Sequence, residues 1–256
     1  DNGSSAEGQS GSISELLAQN QIPNTFEQQI KALDELGGLD ALGSPKVDNM
    51  YHAGWAWAGS TPFKYTKLIA SHFGGTRNPM VVSWPRKIKA DQAPRSQFHH
   101  VNDVAATVLE AVGLPQPKMV NGVPQIPLSG VSMLYVAEDA NAADRHTTQY
   151  FEMFGNRAIY HEGWLARAVH RAPWRDDVEN TLQNDVWELF DTTKDFSLTN
   201  DLAAANPDKL KEMQDVFLNE AINNNVYPLD DRLYERFNAA IAGRPDLMGT
   251  RTSLTL

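Results

Sequence analysis

The chain of 256 residues contains no cysteine. This absence excludes disulfide bonds, thiolate metal sites and a cysteine nucleophile within these residues. Clustered positive charge is also missing, because no run of Lys and Arg exceeds two residues and the formal net charge is −10. A nucleic-acid surface is therefore not expected, since phosphate binding requires such clusters. No stretch approaches the roughly 20 apolar residues of a membrane-spanning helix.

The composition indicates a folded globular protein. Hydrophobic residues make up 41% of the chain, which includes six tryptophans, and this length can bury the core of one large domain or two smaller ones. The sequence has neither an initiator methionine nor a signal-peptide pattern. We expect residue 1 to be an internal position of a longer polypeptide, with any localisation signal upstream, and we favour a periplasmic or secreted protein over a cytoplasmic one.

The first part of the chain has an α/β pattern. Residues 3–20 and 43–62 are rich in turn-forming residues and predict long loops. Between them, apolar residues at helical spacing predict a helix that Gly37-Gly38 ends. Met80–Trp84 is a short apolar run that predicts a buried parallel strand. A helix with Val104, Val108 and Val112 on one face should follow, starting near Asn102-Asp103 and closed by Gly113 and Pro115.

Two histidines precede this second helix. His99, His100 and Asp103 lie within five residues of one another. Imidazole and carboxylate groups at this spacing could form part of a metal cluster. The alternative, a helix cap flanked by loop histidines, is the favoured interpretation.

From about residue 147 the pattern changes. Four short strand-like runs, separated by Gly, Asn and Pro, predict an antiparallel sheet with turns at Gly155-Asn156 and Glu162-Gly163. Asn206-Pro207 then opens a long helix with an apolar face. We therefore divide the chain into residues 1–140 and 141–256, with the boundary near residues 137–146.

The opening residues carry a possible metal-binding pattern. Asp1 and Asn2 place a carboxylate and an amide oxygen side by side before Gly3. Hard oxygen ligands of this kind suit Ca²⁺ or Mg²⁺. Taken alone, the same three residues are typical of an ordinary turn.

The segment Asp1–Gly8 resembles the DNG-x-S-x-E-G motif of type I, formylglycine-dependent sulfatases. Residues 61–77 are similar to that family's segment joining an active-site lysine to a Gly-Gly pair. Further pieces resemble the family in the same order: Ser83-Trp84-Pro85, His100–Val104, Pro127–Gly130 and Trp187–Asp191. The likeness runs over roughly residues 1–230 and is greatest to the bacterial arylsulfatases. It implies an α/β fold: the end of an alkaline-phosphatase-like catalytic domain, followed by a small antiparallel four-stranded sheet with a packed helix.

The resemblance also implies a chemistry. These enzymes hydrolyse sulfate esters with a formylglycine made from a C/S-x-P-x-R motif, while a divalent cation, usually Ca²⁺ with Mg²⁺ as the alternative, holds the sulfate. It makes Asp1 and Asn2 metal ligands and Lys67 the sulfate-binding lysine, with Lys64 as the alternative. His72 is expected to contact the substrate or to support residues that do, unless it is an ordinary buried histidine. A cation and ammonium groups are needed because the attacked ester is an anion.

Two departures from the family pattern matter. Phe73 stands where many relatives have a glutamate before the glycines. The C/S-x-P-x-R motif is absent, and the remaining metal ligands, one lysine and two histidines would lie upstream of Asp1. We therefore expect the partners to be a small-molecule sulfate ester and the N-terminal portion of the same enzyme. Without that portion the chain should be inactive and should expose apolar surface around residues 80–84.

Two alternatives to the sulfatase reading remain open. The same superfamily contains phosphodiesterases and phosphonate monoester hydrolases, and the sequence does not separate sulfur from phosphorus. A non-catalytic binding domain that kept the fold is the third reading. The aromatic residues Trp55, Trp57 and Phe63 could line an aryl-ester pocket or could simply belong to the core. The oligomeric state is not indicated.

Overall fold

The computed structural model describes residues 3–19, 25–91, 93–172, 174–175 and 181–231. In these ranges the helices are α1 (Ser14–Gln19), α2 (Phe26–Leu36), α3 (Ala53–Gly59), α4 (Phe73–Thr76), α5 (Asp103–Val112), α6 (Leu134–Glu138) and α7 (Pro207–Asn223). The strands are β1 (Met119–Val120), β2 (Val123–Pro124), β3 (Thr148–Met153), β4 (Asn156–His161), β5 (Trp164–Ala168) and β6 (Trp187–Asp191). Every helix in the described ranges is too short or too polar to cross a lipid bilayer.

The chain forms two compact units. The first comprises the described residues of Asp1–Asn78, Tyr150–Ile159 and Trp164–Leu256, and the second comprises those of Pro79–Gln149 and Tyr160–Gly163. The division at residues 1–140 and 141–256 made from sequence remains a prediction.

The four-stranded sheet has the strand order β3-β4-β5-β6. β5 and β6 pair antiparallel, with Leu165 opposite Phe190. Positive φ angles at Phe154 and Gly155, and again at Glu162 and Gly163, are typical of the two-residue turns whose twist matches a hairpin. The predicted antiparallel sheet is thus confirmed, as is the turn at Glu162-Gly163. The first turn lies at Phe154-Gly155, one residue before the predicted Gly155-Asn156, because Asn156 already belongs to β4.

Helix α7 packs on this sheet, as the sequence predicted. Proline fits the first turn of α7 because a backbone N–H at this position would have no partner within the helix. The missing N–H of Pro207 therefore costs no hydrogen bond. Met213 and Phe217, on the buried face of α7, join Ile159, Ala166 and Leu189 of the sheet in one apolar cluster. The predicted fold, a mixed α/β protein whose small antiparallel sheet is covered by a helix, is confirmed.

Helices α1 and α3 lie where the sequence predicted loops. α1 forms because Leu16 and Leu17 are buried against apolar residues of α2, which is tertiary packing that local composition does not reveal. α3 is an alanine-rich segment whose N-terminus is capped by His52, since Nδ1 accepts a hydrogen bond from the Gly54 N–H at 3.0 Å. α2 begins and ends as predicted, with the Thr25 hydroxyl accepting from the Gln28 N–H.

In the second unit, the predicted strand over Met80–Trp84 is absent. Val81 is 93% exposed, and neither sheet of the described residues includes this segment. A parallel strand requires neighbours for its backbone groups; without them the segment remains irregular. α5 confirms the predicted helix and its closure by Gly113, which has a left-handed φ of 71°. Its valines at 104, 108 and 112, however, face solvent.

Candidate functional site

The motif segment after Asp1 and Asn2 docks against the residue 64–78 segment in the first unit. Gly3 has φ +76°, and a Cβ at this position would lie 2.4 Å from the Gly74 carbonyl oxygen, so only glycine fits. The Lys67 backbone N–H donates to the Ser4 carbonyl at 3.0 Å. The two sequence stretches that resemble sulfatase motifs are therefore brought together. The predicted metal ligands Asp1 and Asn2 lie outside the described residues.

Lys67 forms an ion pair with Glu7 of the motif segment. Its Nζ is 2.9 Å from Glu7 Oε1, and the two side chains are only 31% and 25% exposed. The Ser5 hydroxyl donates to the other carboxylate oxygen of Glu7 at 2.8 Å. Burial acts to raise the pKa of Glu7, but the hydrogen bonds from Lys67 and Ser5 and the charge of Lys67 bring that pKa below its ordinary value. The Glu7 carboxyl group is consequently ionised at neutral pH.

Lys64, the alternative lysine, is exposed. Its backbone carbonyl accepts the Gly74 N–H at 3.1 Å, and its ammonium forms no ion pair within the described part of the chain. Lys64 thus contributes its backbone to the fold of this segment, whereas Lys67 contacts the motif with both backbone and side chain.

The Gly-Gly pair allows this segment to fold back on itself. A Cβ on Gly74 would lie 2.1 Å from the Tyr65 carbonyl oxygen, and one on Gly75 would lie 2.5 Å from that of Ile69. Tyr65 and Leu68, which bracket Lys67, both have positive φ. The backbone around Lys67 is therefore tightly curled, and the glycines are required for the close approach.

His72 is only 2% exposed. Its Nδ1 is 2.9 Å from the Ser71 hydroxyl, and its ring centroid is 4.4 Å from that of Tyr65. Burial, reinforced by the positive charges of Arg167 and Lys64, lowers the pKa of His72 to about 2. The imidazole is therefore neutral at neutral pH, where it contacts the Ser71 hydroxyl and the Tyr65 ring.

Phe73, which departs from the family motif, contacts the arginine that follows the glycines. The Arg77 guanidinium lies over the rings of Phe63, Phe73 and Phe196, at 5.5, 5.0 and 4.2 Å from the centroids. It also donates to the Phe196 carbonyl at 3.3 Å. Aromatic faces, which attract cations through their quadrupoles, here surround the guanidinium.

An open groove of about 550 Å³ adjoins the motif segment. Its apolar lining comes mainly from Leu39, Leu42, Met50, Tyr51 and Trp55. Trp55 is 68% exposed, so its ring is available to a ligand. Of the other two aromatic residues predicted for an aryl pocket, Trp57 packs on Tyr65 and Phe63 packs on Phe73.

Sequence reasoning did not find Arg167, a buried residue of β5. Its Nε donates to Glu188 at 2.9 Å, and its guanidinium lies 4.2 Å from the Phe190 ring centroid. One terminal nitrogen has no hydrogen-bond partner among the described residues. A charged residue that points into the sheet core carries no pattern in the sequence. Glu7, by contrast, is part of the sequence motif, but the motif does not indicate that this glutamate pairs with Lys67.

In the second unit, Asp103 organises the histidines that precede α5. One carboxylate oxygen is 2.7 Å from His146 Nδ1 and accepts the Val131 N–H at 2.8 Å. The other accepts the His100 N–H at 2.9 Å and lies 3.3 Å from His99 Nδ1. These bonds use the oxygens that a metal would need, and no group of three potential metal-ligating side chains occurs within the described residues. The arrangement is a helix-end network.

Comparison with known proteins adds a family relationship. The family model described as "N-sulphoglucosamine sulphohydrolase, C-terminal" matches residues 71–225. An uncharacterized sulfatase of Schizosaccharomyces pombe is 26% identical over 182 residues, covering 70% of this chain and 31% of that protein. The uncharacterized sulfatase YdeN of Escherichia coli is 27% identical over 191 residues, covering 64% of this chain and 32% of that protein. The chain thus spans about a third of the length of these relatives.

A solved structure supports the fold. The crystal structure of Ps i-CgsB in complex with k-i-k-neocarrahexaose is similar with a TM-score of 0.51 and 21% sequence identity. The similarity covers 72% of this chain and 37% of that one.

Proposed function

Because the chain belongs to the N-sulphoglucosamine sulphohydrolase C-terminal family, we propose that the protein it forms part of hydrolyses sulfuric esters, with a small-molecule aryl sulfate as substrate. The observation that carries this proposal is the docking of the Ser4–Gly8 motif segment on Lys67, through the backbone bond to Ser4 and the ion pair with Glu7. Two motif stretches separated by some sixty residues meet at one partly open ammonium group.

In this proposal Lys67 contacts a sulfate oxygen. A lysine ammonium is a compact point charge that can donate to an oxyanion, and charge on the sulfuryl group must be offset as the ester bond breaks. In this proposal His72 is neutral, and its ring packs against the Tyr65 ring two residues before Lys67.

Asp1 and Asn2 are proposed ligands of a divalent cation, Ca²⁺ or Mg²⁺. Gly3, the next residue in the chain, lies against Gly74 of the segment that carries Lys67, which supports this assignment. Hard oxygen ligands suit either ion, although Ca²⁺ takes six to eight of them, so most ligands would come from residues outside this chain. When bound, the cation would offset negative charge on the sulfate.

We infer that the protein is periplasmic or secreted. The nucleophile, a formylglycine, is proposed to come from an upstream portion of the same polypeptide. Such a portion is supported by the relatives, of which the matched regions cover only 31% and 32%. It is also supported by the apolar surface of the second unit, where Met80, Val81 and Val82 are all exposed. Exposed apolar patches of this kind mark sites of association.

The groove beside the motif segment is proposed to receive the aryl group. Tyr51 and Trp55 offer aromatic surface there, and aromatic rings bind one another through offset or edge contacts. The Gly8 N–H donates to the Tyr51 carbonyl at 3.1 Å, which ties the groove to the motif.

The test is a rate comparison on the longer polypeptide, this chain together with its upstream portion. We expect hydrolysis of nitrophenyl sulfate to exceed that of nitrophenyl phosphate, bis-nitrophenyl phosphate and nitrophenyl phenylphosphonate. Lys67→Ala should lower kcat/KM for the sulfate about 100-fold or more, and chelation should abolish activity until Ca²⁺ is restored. Faster turnover of a phosphorus ester would assign the protein to phosphoesterases, and no turnover of any ester would favour a binding domain.

A further inference from the structure

Building on the proposed function, we propose that Glu7 is a positioning residue for Lys67: its carboxylate fixes the ammonium group in the orientation needed to contact the sulfate. Glu7 itself does not touch the substrate in this assignment. Its effect on the reaction passes entirely through Lys67.

The geometry shows why Lys67 needs such a partner. A lysine side chain has several rotatable bonds and in solvent samples many conformations. Here Oε1 of Glu7 accepts from Nζ at 2.9 Å. The carboxylate is in turn held by the Ser5 hydroxyl at 2.8 Å, so its orientation is fixed by its own segment. Ser5 also accepts the Glu7 backbone N–H at 3.3 Å, which closes the local arrangement.

The base of this chain of contacts is rigid. Ala6 and Gly8 on either side of Glu7 are buried, as are Thr66 and Ile69 on either side of Lys67. A Cβ on Gly8 would lie 2.5 Å from the Met50 carbonyl oxygen. The carboxylate is therefore presented from a closely packed backbone.

The pairing leaves Lys67 able to bind an anion. An ammonium group has three N–H donors, and Glu7 takes one of them. Because the lysine side chain is 31% exposed, the other two can reach a ligand. An ionised carboxylate forms a shorter and stronger hydrogen bond to the ammonium group than a neutral partner would. With a neutral partner the two remaining donors would therefore be held less firmly in position.

A double-mutant cycle on the longer polypeptide tests the inference. Glu7→Gln keeps the shape and an acceptor oxygen but removes the charge. We expect it to lower kcat for nitrophenyl sulfate about tenfold, with KM changed less than about threefold, because a displaced group weakens transition-state contacts. In the Lys67→Met background, the same substitution should have no further effect on kcat/KM. A merely structural role would lower activity in both backgrounds by similar factors, and that result would overturn the inference.

The control is Glu212→Gln, which removes a similar ion pair, with Lys209 at 2.8 Å, on the exposed face of α7. It should leave kcat and KM unchanged. The two proposals fail separately. If Lys67→Met leaves kcat/KM intact, the sulfate-binding role of Lys67 is wrong. If Lys67→Met lowers kcat/KM but Glu7→Gln does not, only the positioning role is wrong.

A spectroscopic measurement on the 256-residue chain requires no activity. The pKa of Glu7 is lowered by its hydrogen bond to Lys67 and raised by burial, so in Lys67→Met the titration of the Glu7 carboxyl carbon, followed by NMR, should move to higher pH. Glu212→Gln should leave that titration in place. An unchanged Glu7 titration in Lys67→Met would show that the pair does not form in solution, and would overturn the inference.

Discussion

The guanidinium carbon of Arg77 lies 5.0 Å from the centroid of the Phe73 ring, at the position where the sulfatase motif usually has a glutamate. The Phe63 and Phe196 rings also approach the same cation. In this chain the residue before the glycines thus offers the arginine an aromatic face. These aromatic faces attract the positive charge through their quadrupoles.

This contact predicts a measurable coupling. Phe73→Leu keeps an apolar side chain but removes the aromatic face, and should lower the free energy of unfolding by about 1 kcal/mol more in the wild type than in an Arg77→Met background. Denaturant unfolding of the four proteins of the cycle gives this value. Equal effects of Phe73→Leu in both backgrounds would mean that the ring contributes by packing alone.

His72 predicts an acid-sensitive term in stability. Its pKa is about 2 in the folded chain against an ordinary value of 6.5, so between these values the unfolded chain binds the proton and the folded chain does not. Stability from this group is complete above pH 6.5 and falls as pH decreases, by about 2 kcal/mol from pH 7 to pH 5. His72→Gln should remove that part of the pH dependence in urea unfolding, whereas His52→Asn should retain it. Identical slopes for wild type and His72→Gln would contradict a neutral buried imidazole.

A buried ion pair in the first unit predicts a large loss of stability. Arg157 Nη1 is 2.5 Å from Asp185 Oδ2, with the two side chains 5% and 0% exposed. Asp185→Ala leaves the arginine charge uncompensated and should lower the unfolding free energy by about 3–5 kcal/mol. The double variant Arg157→Met/Asp185→Leu should recover much of this loss. Guanidinium unfolding measures both, and Glu212→Ala, at an exposed pair, should cost less than about 1 kcal/mol.

The exposed valines of α5 predict dye binding by the 256-residue chain. Val104 and Val108 are four residues apart on one face of this helix and both are exposed. Lysine at both positions should reduce the fluorescence of anilinonaphthalene sulfonate with little change in the melting temperature, because neither side chain is in the core. Val186→Lys, at an exposed valine of the first unit, is the control and should have little effect. Unchanged dye binding in the double variant would place the apolar surface elsewhere.

The elements predictable from sequence were those whose pattern is local. The turns after β3 and β4, and the apolar face of α7, follow from spacing and turn residues within a few positions. The segment Met80–Trp84 has an equally clear strand composition, but strand formation requires hydrogen-bonding neighbours, and the described residues provide none. The glycine-rich composition around α1 and α3 disfavours helices. Packing against α2 nevertheless stabilises α1, and the His52 cap stabilises α3.

The candidate site was predictable in part for the same reason. Motif letters pointed to Asp1, Asn2, Lys67 and His72, and these assignments remain predictions. The pairing of Glu7 with Lys67 joins residues sixty positions apart, and such a contact is a property of the fold. Likewise, the lowered pKa of His72 results from its burial and from the charges of Arg167 and Lys64, which a lone histidine in a sequence does not reveal.

The residues of the two units are not translated in the same order. All of the second unit lies between Pro79 and Gly163, whereas the first unit needs residues from both before and after that interval. During translation the second unit can therefore complete its own contacts while the Lys67 segment still lacks β6 and α7. Contacts between distant parts of a chain form late because their loops must close first. We expect the Lys67 segment to form its final contacts only after the four-stranded sheet and α7 have emerged from the ribosome.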